Sequence, residues 1–194
     1  RGASDAPQLG VHNRLNALAA IAAARHAGVP VGKSLDALAA FRGVARRMEL
    51  RGRAGGVAVH DDFAHHPTAI STTIGGLRQA VGAARILAVL EPRSNTMKLG
   101  AMADRLAASL DGAERTFCYA ANLGWDAAAA LAPLGARASV HADLAALVAA
   151  VVDEARPGDH VLVMRNGGFG GVNGKLLAAM QAREGTSPAR RAPA

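Results

Sequence analysis

The sequence predicts an α/β protein, a mostly parallel sheet with helices on both faces, preceded by a helical segment. Three observations predict it. From Val57 onward, short apolar runs alternate with stretches whose apolar residues recur every three to four positions, as strand followed by helix requires. Turn-forming clusters such as Arg156-Pro157-Gly158-Asp159 separate these units. Before Gly43 the pattern is helical.

Taken in order, His12 to Ala27 reads as a helix with Leu15, Leu18 and Ala22 on one face, ended by Gly28 and Pro30. Ser34 is suited to cap a second helix that runs through Phe41 and closes at Gly43. Composition shifts at Phe41-Arg42-Gly43, which we take as a domain boundary between residues 1–42 and 43–183. Arg46 to Arg51 and Val57 to His60 read as hairpin strands around Ala54-Gly55-Gly56. After the buried run Val57-Ala58-Val59, Ile70, Ile74, Leu77 and Val81 recur at helical spacing, with Pro67 suited to the first turn.

The remaining repeats follow the same rule. Arg85 to Glu91 precedes Leu99 to Leu110, Arg115 to Tyr119 precedes Trp125 to Leu131, and Ser139-Val140 precedes Leu144 to Ala155. The last unit passes from a strand, His160 to Met164, through the glycine-rich stretch Asn166 to Gly171 into a helix from Val172 to Arg183. Residues 184–194 mix Gly, Ser, Pro, Ala and Arg and read as a disordered tail.

A chain of 194 residues, 51% apolar and 3% aromatic, can bury one ordinary domain, or one domain plus a fragment of another. No run reaches membrane-spanning length, so no membrane partner is expected. The single cysteine, Cys118, sits in a strand without an intrachain partner and reads as a buried structural thiol. With no signal peptide at the start, a reducing, cytoplasmic setting is expected. The excess of 22 basic over 15 acidic residues, +7, raises nucleic acid as a partner class. The arginines form no stripe interleaved with aromatics, so no nucleic-acid partner is expected.

Four motifs fall at the ends of predicted elements. Asp61-Asp62-Phe63-Ala64-His65-His66-Pro67-Thr68 packs two carboxylates and two imidazoles between a strand and a helix, where α/β sheets collect ligands and a helix N-terminus favours an anion. Adjacent residues on a tight turn rarely converge on one metal ion. Asp62 on a ribose and His65 near a phosphate ask less of the geometry, with Asp61 and His66 shaping the turn. Glu91-Pro92-Arg93-Ser94-Asn95-Thr96-Met97-Lys98 follows another strand and offers two cations and several hydrogen-bonding groups suited to a substrate carboxylate.

The stretch Arg165-Asn166-Gly167-Gly168-Phe169-Gly170-Gly171 is either a backbone cradle for an anion or a plain flexible turn; Asn173 stands where a dinucleotide fingerprint needs its third glycine. His12, Asn13 and Asn16 share the first turn of a helix and can face the edge of a planar base. Gly28-Val29-Pro30-Val31-Gly32-Lys33-Ser34 is not a phosphate loop. It has three residues between its glycines instead of four, contains a proline, and follows a helix.

Gly10-Val11-His12-Asn13-Arg14-Leu15-Asn16-Ala17-Leu18-Ala19-Ala20, Phe41-Arg42-Gly43-Val44-Ala45-Arg46-Arg47 and the Asp62 to Thr68 cluster, in this order, resemble the Mur ligases, ATP-dependent amide-bond formers of murein synthesis. Glu91 to Gly100 and Asn166 to Gly171 resemble the branch that joins UDP-N-acetylmuramate to L-alanyl-gamma-D-glutamyl-meso-diaminopimelate in cell-wall recycling. The resemblance spans roughly Gly10 to Arg183. It implies a Rossmann-like C-terminal domain preceded by the helical end of a central ATP-binding domain. It also implies ATP and Mg2+ as cofactors, with the metal ligands mostly outside this chain, and UDP-N-acetylmuramate and the murein tripeptide as substrates. The implied reaction runs through an acyl phosphate that the peptide amine attacks.

By position in the motifs, the resemblance implies that His12, Asn13 and Asn16 meet adenine, Arg47 and Asp62 the ribose or nearby phosphates, and His65, the catalytic candidate, the terminal phosphate. Arg93, Ser94, Asn95, Lys98, Asn166 and Gly167 would hold the peptide. Arg165 stands where that branch usually has a small serine, and Asn173 where a histidine is expected. The family's UDP-sugar domain, Gly-Lys-Thr phosphate loop and magnesium-binding region have no counterpart here, so the isolated chain is expected to be inactive. The alternatives are another Mur ligase, such as UDP-N-acetylmuramate–L-alanine ligase, or a free-standing nucleotide- or peptide-binding module.

Overall fold

The computed structural model describes residues 10–41, 43–93, 100–121 and 123–186. Two helices come first, α1 (Val11–His26) and α2 (Val31–Ala40), and each packs mainly on the other. Ser34 does not cap α2. Pro30 takes the N-cap position instead, because its fixed φ of −58° suits a helix entrance where no donor is needed, and its carbonyl accepts from Ser34 one turn on. Leu15, Leu18 and Leu35 remain more than half exposed, so this pair has no core of its own among the described residues.

The strands follow as β1 (Glu49–Ala54), β2 (Val57–Asp62), β3 (Ile86–Leu90), β4 (Arg115–Tyr119), β5 (Ala138–His141) and β6 (His160–Met164). They form one sheet in the order β1-β2-β6-β3-β4-β5, parallel except for the β1–β2 hairpin. Gly55 and Gly56, both at positive φ, close that hairpin, and a Cβ on Gly56 would sit 3.0 Å from Pro157.

Helices α3 (Pro67–Val81), α4 (Ala103–Ser109) and α5 (Ala127–Leu131) cover one face, where Ile70, Ile74, Leu77, Leu106 and Leu131 meet Ile86, Ala88, Leu90 and Leu162. The other face takes α6 (Leu144–Glu154) and α7 (Val172–Thr186), whose Leu147, Val151, Val172 and Leu176 meet Leu87, Val89, Val161 and Val163. The inner strands are buried on both faces, which is why they read as unbroken apolar runs. Each such Leu or Ile contributes about 1.5–3 kcal/mol by leaving water.

Local chemistry sets several boundaries. Asp126 and Asp143 cap α5 and α6 through side-chain oxygens, which starts α5 two residues later than the expected Trp125. Helix α7 continues through Glu184 to Thr186, beyond the expected onset of the tail, because Arg183 donates to the last-turn carbonyls of Val152 and Ala155 and ties α7 to α6. Residues 187–194 lie outside the described residues. Among the described residues, no helix is long and apolar enough to cross a membrane.

Topology makes the loop after β6 diverge from those of both its neighbours, β2 and β3. The chain leaves β3 towards α4 on one face and leaves the adjacent β6 towards α7 on the other, so the loops after these two strands diverge. Ligands gather at such a switch point, beyond the carboxyl ends of the strands.

Candidate functional site

Two walls are built at the carboxyl ends of β2, β3 and β6. The first begins with Asp62, buried at 4% exposure, whose Oδ1 accepts from Ala64 N (2.8 Å) and Thr73 Oγ1 (3.2 Å), while Oδ2 accepts from Met48 N (2.8 Å). This carboxylate therefore organises the turn that follows it. Phe63 N donates to the Arg46 carbonyl at 2.9 Å, and His65 lies edge-on to the Phe63 ring at 5.3 Å. His65 Nδ1 lies 2.9 Å from the Phe63 carbonyl, which can only accept, so Nδ1–H is the donor of this bond. His66 is the N-cap residue of α3 in extended conformation, and its carbonyl accepts from Ile70, so it shapes the turn as expected.

Arg46 and Arg47 approach the same Phe63 ring, at 4.9 and 5.8 Å from its centre. The backbone separates their roles. Arg46 and Met48 both adopt positive φ, 60° and 51°, a conformation rare for residues with side chains, and bonds from Arg46 N to Glu49 and from Met48 N to Asp62 hold it. Arg47 is left exposed, while Arg46 turns inward and donates to the carbonyls of Arg165 (2.9 Å) and Gly167 (3.3 Å). Arg46 thus spans from the first wall to the second.

The second wall is formed by the loops after β3 and β6. Arg93 N donates to the Glu91 carbonyl at 2.8 Å in a tight turn through Pro92, and the Arg93 guanidinium lies 4.0 Å from the Glu91 carboxylate while remaining 52% exposed. A Cβ on Gly167 would lie 3.1 Å from Arg93 Nη1, so the two loops touch there. Beside Arg93 opens a cleft of about 290 Å³ lined by Tyr119, Leu123, Leu144 and Gly170. Tyr119 rests on Phe169, which is buried and held at a φ of 43° within a single helical turn, Phe169–Gly171.

The arrangement offers an exposed cation and an imidazole on one wall, and an exposed guanidinium beside a cleft on the other. Such groups suit phosphates and carboxylates. Among the described residues, no group of three or more His, Cys, Asp or Glu could hold a metal ion. The thiol of Cys118 is fully buried and pushed up to about 12 by desolvation, which fits a structural role.

Residues 46–167 match the family model for the Mur ligase, glutamate ligase domain. The chain belongs to the Mur ligase family. It is 52% identical over 171 residues to the UDP-N-acetylmuramate–L-alanyl-gamma-D-glutamyl-meso-2,6-diaminoheptandioate ligase of Escherichia coli K12, which covers 87% of this chain and 37% of that protein. The ligase of the same name from Haemophilus influenzae is 46% identical, over 87% of this chain and 38% of its own length. A crystal structure of a murein peptide ligase from Psychrobacter arcticus superposes with a TM-score of 0.70 at 40% identity, over 89% of this chain and 37% of that one. The chain thus spans a little over a third of the length of these relatives.

Within this Mur ligase chain, the tertiary structure brings Arg47, Asp62 and His65 together around Phe63, and Arg93 against Gly167 with Asn166 beside it. Asp62, expected to reach a ribose, is turned into the protein with both oxygens engaged. Asn13 and Asn16 lie in the first two turns of α1, a separate element that packs mainly on α2. The His12 side chain and the residues Ser94, Asn95 and Lys98 lie outside the described residues. Sequence reasoning missed Arg46, Tyr119 and Leu144. The one signal for Arg46 was its place in the paired arginines before β1.

Proposed function

We propose that this chain is the C-terminal part of an ATP-dependent ligase that joins UDP-N-acetylmuramate to L-alanyl-gamma-D-glutamyl-meso-diaminopimelate, in the cytoplasmic recycling of cell-wall murein. The identity of 52% to the Escherichia coli ligase across 87% of this chain carries the reading. A domain boundary at residue 42 fits it, since the two core clusters draw on residues that follow that point.

In this reading, the wall around Phe63 receives ATP. Arg47 and His65 supply a cation and a hydrogen-bonding nitrogen for its phosphates, and His12, Asn13 and Asn16 supply polar groups for adenine. Asp62 acts through the turn it holds, because its carboxylate already accepts from three protein donors. ATP would supply the activation of a carboxylate, with Mg2+ held by residues beyond this chain. The second wall receives the tripeptide. Arg93 matches a peptide carboxylate by its planar fork of donors, with Ser94, Asn95 and Lys98 following it in the sequence and Gly167 against it.

Calorimetry on the 194-residue chain tests this reading. The expected result is binding of the tripeptide, weakened about tenfold but still measurable in Arg93→Ala, and no amide formed from UDP-N-acetylmuramate, tripeptide and ATP. Tight ATP binding without tripeptide binding would instead favour a free-standing nucleotide module.

A further inference from the structure

We propose that Arg165 is a positioning residue that locks the loop after β6 and, through Gly167, sets the place of Arg93. The inference rests on the reading of this loop as one wall of the peptide site. Arg165 follows directly on a buried strand and buries its guanidinium, at 16% side-chain exposure against Asp61 at 1%. Nε donates to Oδ1 at 2.9 Å and Nη2 to Oδ2 at 2.7 Å, a bidentate pair between β2 and the end of β6. The third nitrogen, Nη1, turns back on its own loop and donates to the Gly167 carbonyl at 2.6 Å.

That carbonyl receives a second guanidinium, Arg46 Nη2 at 3.3 Å, which also donates to the Arg165 carbonyl at 2.9 Å. Two charged donors thus fill both lone pairs of the Gly167 oxygen. The backbone of Arg165 is held as well, its N–H donating to the Asp62 carbonyl at 3.0 Å. The peptide plane after Gly167 cannot rotate without breaking two charge-assisted bonds. A Cβ on Gly167 would meet the Arg93 side chain at Nη1, Cδ and Cζ, so the locked backbone limits how closely that exposed guanidinium can approach.

A shorter side chain at position 165 would leave Asp61 buried without its counter-charge and the Gly167 carbonyl with Arg46 alone. Asp61 therefore has a definite task, which is to anchor the arginine that clamps the loop. The effect on ligand is indirect, through the backbone of Gly167 and then Arg93.

The test uses the 194-residue chain and three variants. Arg165→Lys keeps the charge beside Asp61, but a single ammonium cannot reproduce the bidentate grip and reach Gly167 as well. Amide exchange at residues 166–171 should accelerate about tenfold or more, with β3 and β6 unchanged. Tripeptide affinity should fall about fivefold in Arg165→Lys, and the same change should add nothing in an Arg93→Ala background, because the clamp acts through Arg93. The double variant Asp61→Asn, Arg165→Gln removes both charges at similar volume and decides the matter should the lysine variant fail to fold. Unchanged loop exchange, or a full additional loss in the Arg93→Ala background, overturns the proposal. Loop loosening in a chain that binds no tripeptide would uphold the clamp and sink the peptide-site reading instead.

Discussion

The guanidinium of Arg93, on the loop after β3, lies against Gly167, on the loop after β6, so closely that a Cβ there would meet Nη1 at 3.1 Å and Cδ at 3.2 Å. These residues meet because β3 and β6 are neighbours in the sheet, paired in parallel from Ile86 with His160 to Leu90 with Met164. Strand order, not sequence proximity, builds this wall.

Gly167→Ala should displace Arg93 while leaving the fold intact, because the atoms in the way belong to a flexible, half-exposed side chain. Tripeptide affinity is expected to fall about three- to tenfold, with a thermal midpoint within a few degrees of the wild type. Calorimetry and a melting curve on the same sample check both. Unchanged affinity would remove Gly167 from the site.

Asp62→Ala should cost far more stability than a surface change. It strips the acceptor from Met48 N, Ala64 N and Thr73 Oγ1 in a buried pocket, at about 1–3 kcal/mol for each donor left unsatisfied. Asp62→Asn is expected to lose less, since one oxygen survives. Urea denaturation measures the difference. In a full-length enzyme the same change should raise the Michaelis constant for ATP through the turn that carries Phe63 and His65.

Stability should fall in mild acid because of one histidine pair. His60 and His160 stack at 5.3 Å, with Nε2 of the first 3.0 Å from Nδ1 of the second. Burial, then His160 and Arg53, push His60 from 6.5 down to about 4. Burial and Arg53 also lower His160, as does Arg78, against the opposing pull of Asp159. The unfolded chain binds these protons at a higher pH than the folded one, so the His60 contribution is whole above pH 6.5 and is lost as pH falls towards 4. The loss from His60 is about 3 kcal/mol. Urea midpoints across this range, compared with His60→Gln, provide the check; a wild-type midpoint that tracks the variant throughout would refute it.

Cys118 should resist alkylation while the chain is folded. It is fully buried, and desolvation raises the thiol to about 12, which leaves almost no thiolate near neutral pH. Mass spectrometry after iodoacetamide treatment should find no adduct in buffer and one adduct per chain in concentrated urea. Rapid labelling of the native chain would contradict the burial.

Much of the fold was legible because its inner strands are buried on both faces and its helices carry apolar residues at helical spacing. Val57 to Val59, Arg115 to Tyr119 and His160 to Met164 were read as strands on that ground, and Gly55-Gly56 marked the hairpin. Capping was less legible. Ser34 has the chemistry of an N-cap, yet Pro30 fills that position, because its fixed φ suits a helix entrance and its carbonyl accepts from Ser34 N. The end of α7 was also misplaced, since Arg183 finds its carbonyl partners on α6, far away in sequence.

At the site, the sequence alone located the loops at the carboxyl edge of the sheet, because polar and glycine-rich stretches after apolar strands mark that edge. It also determined the family, through motifs in a definite order. Which side chains face the crevice was decided by tertiary structure. Arg46 and Arg47 are identical neighbours in the sequence, but positive φ at Arg46 sends the first under Phe63 to Gly167 and leaves the second exposed. Asp61 and Asp62 divide in the same way, one pairing with Arg165 and the other holding the turn at Ala64. Adjacent residues on a strand point to opposite faces, and what waits on each face depends on strand order and distant loops, which local pattern does not encode.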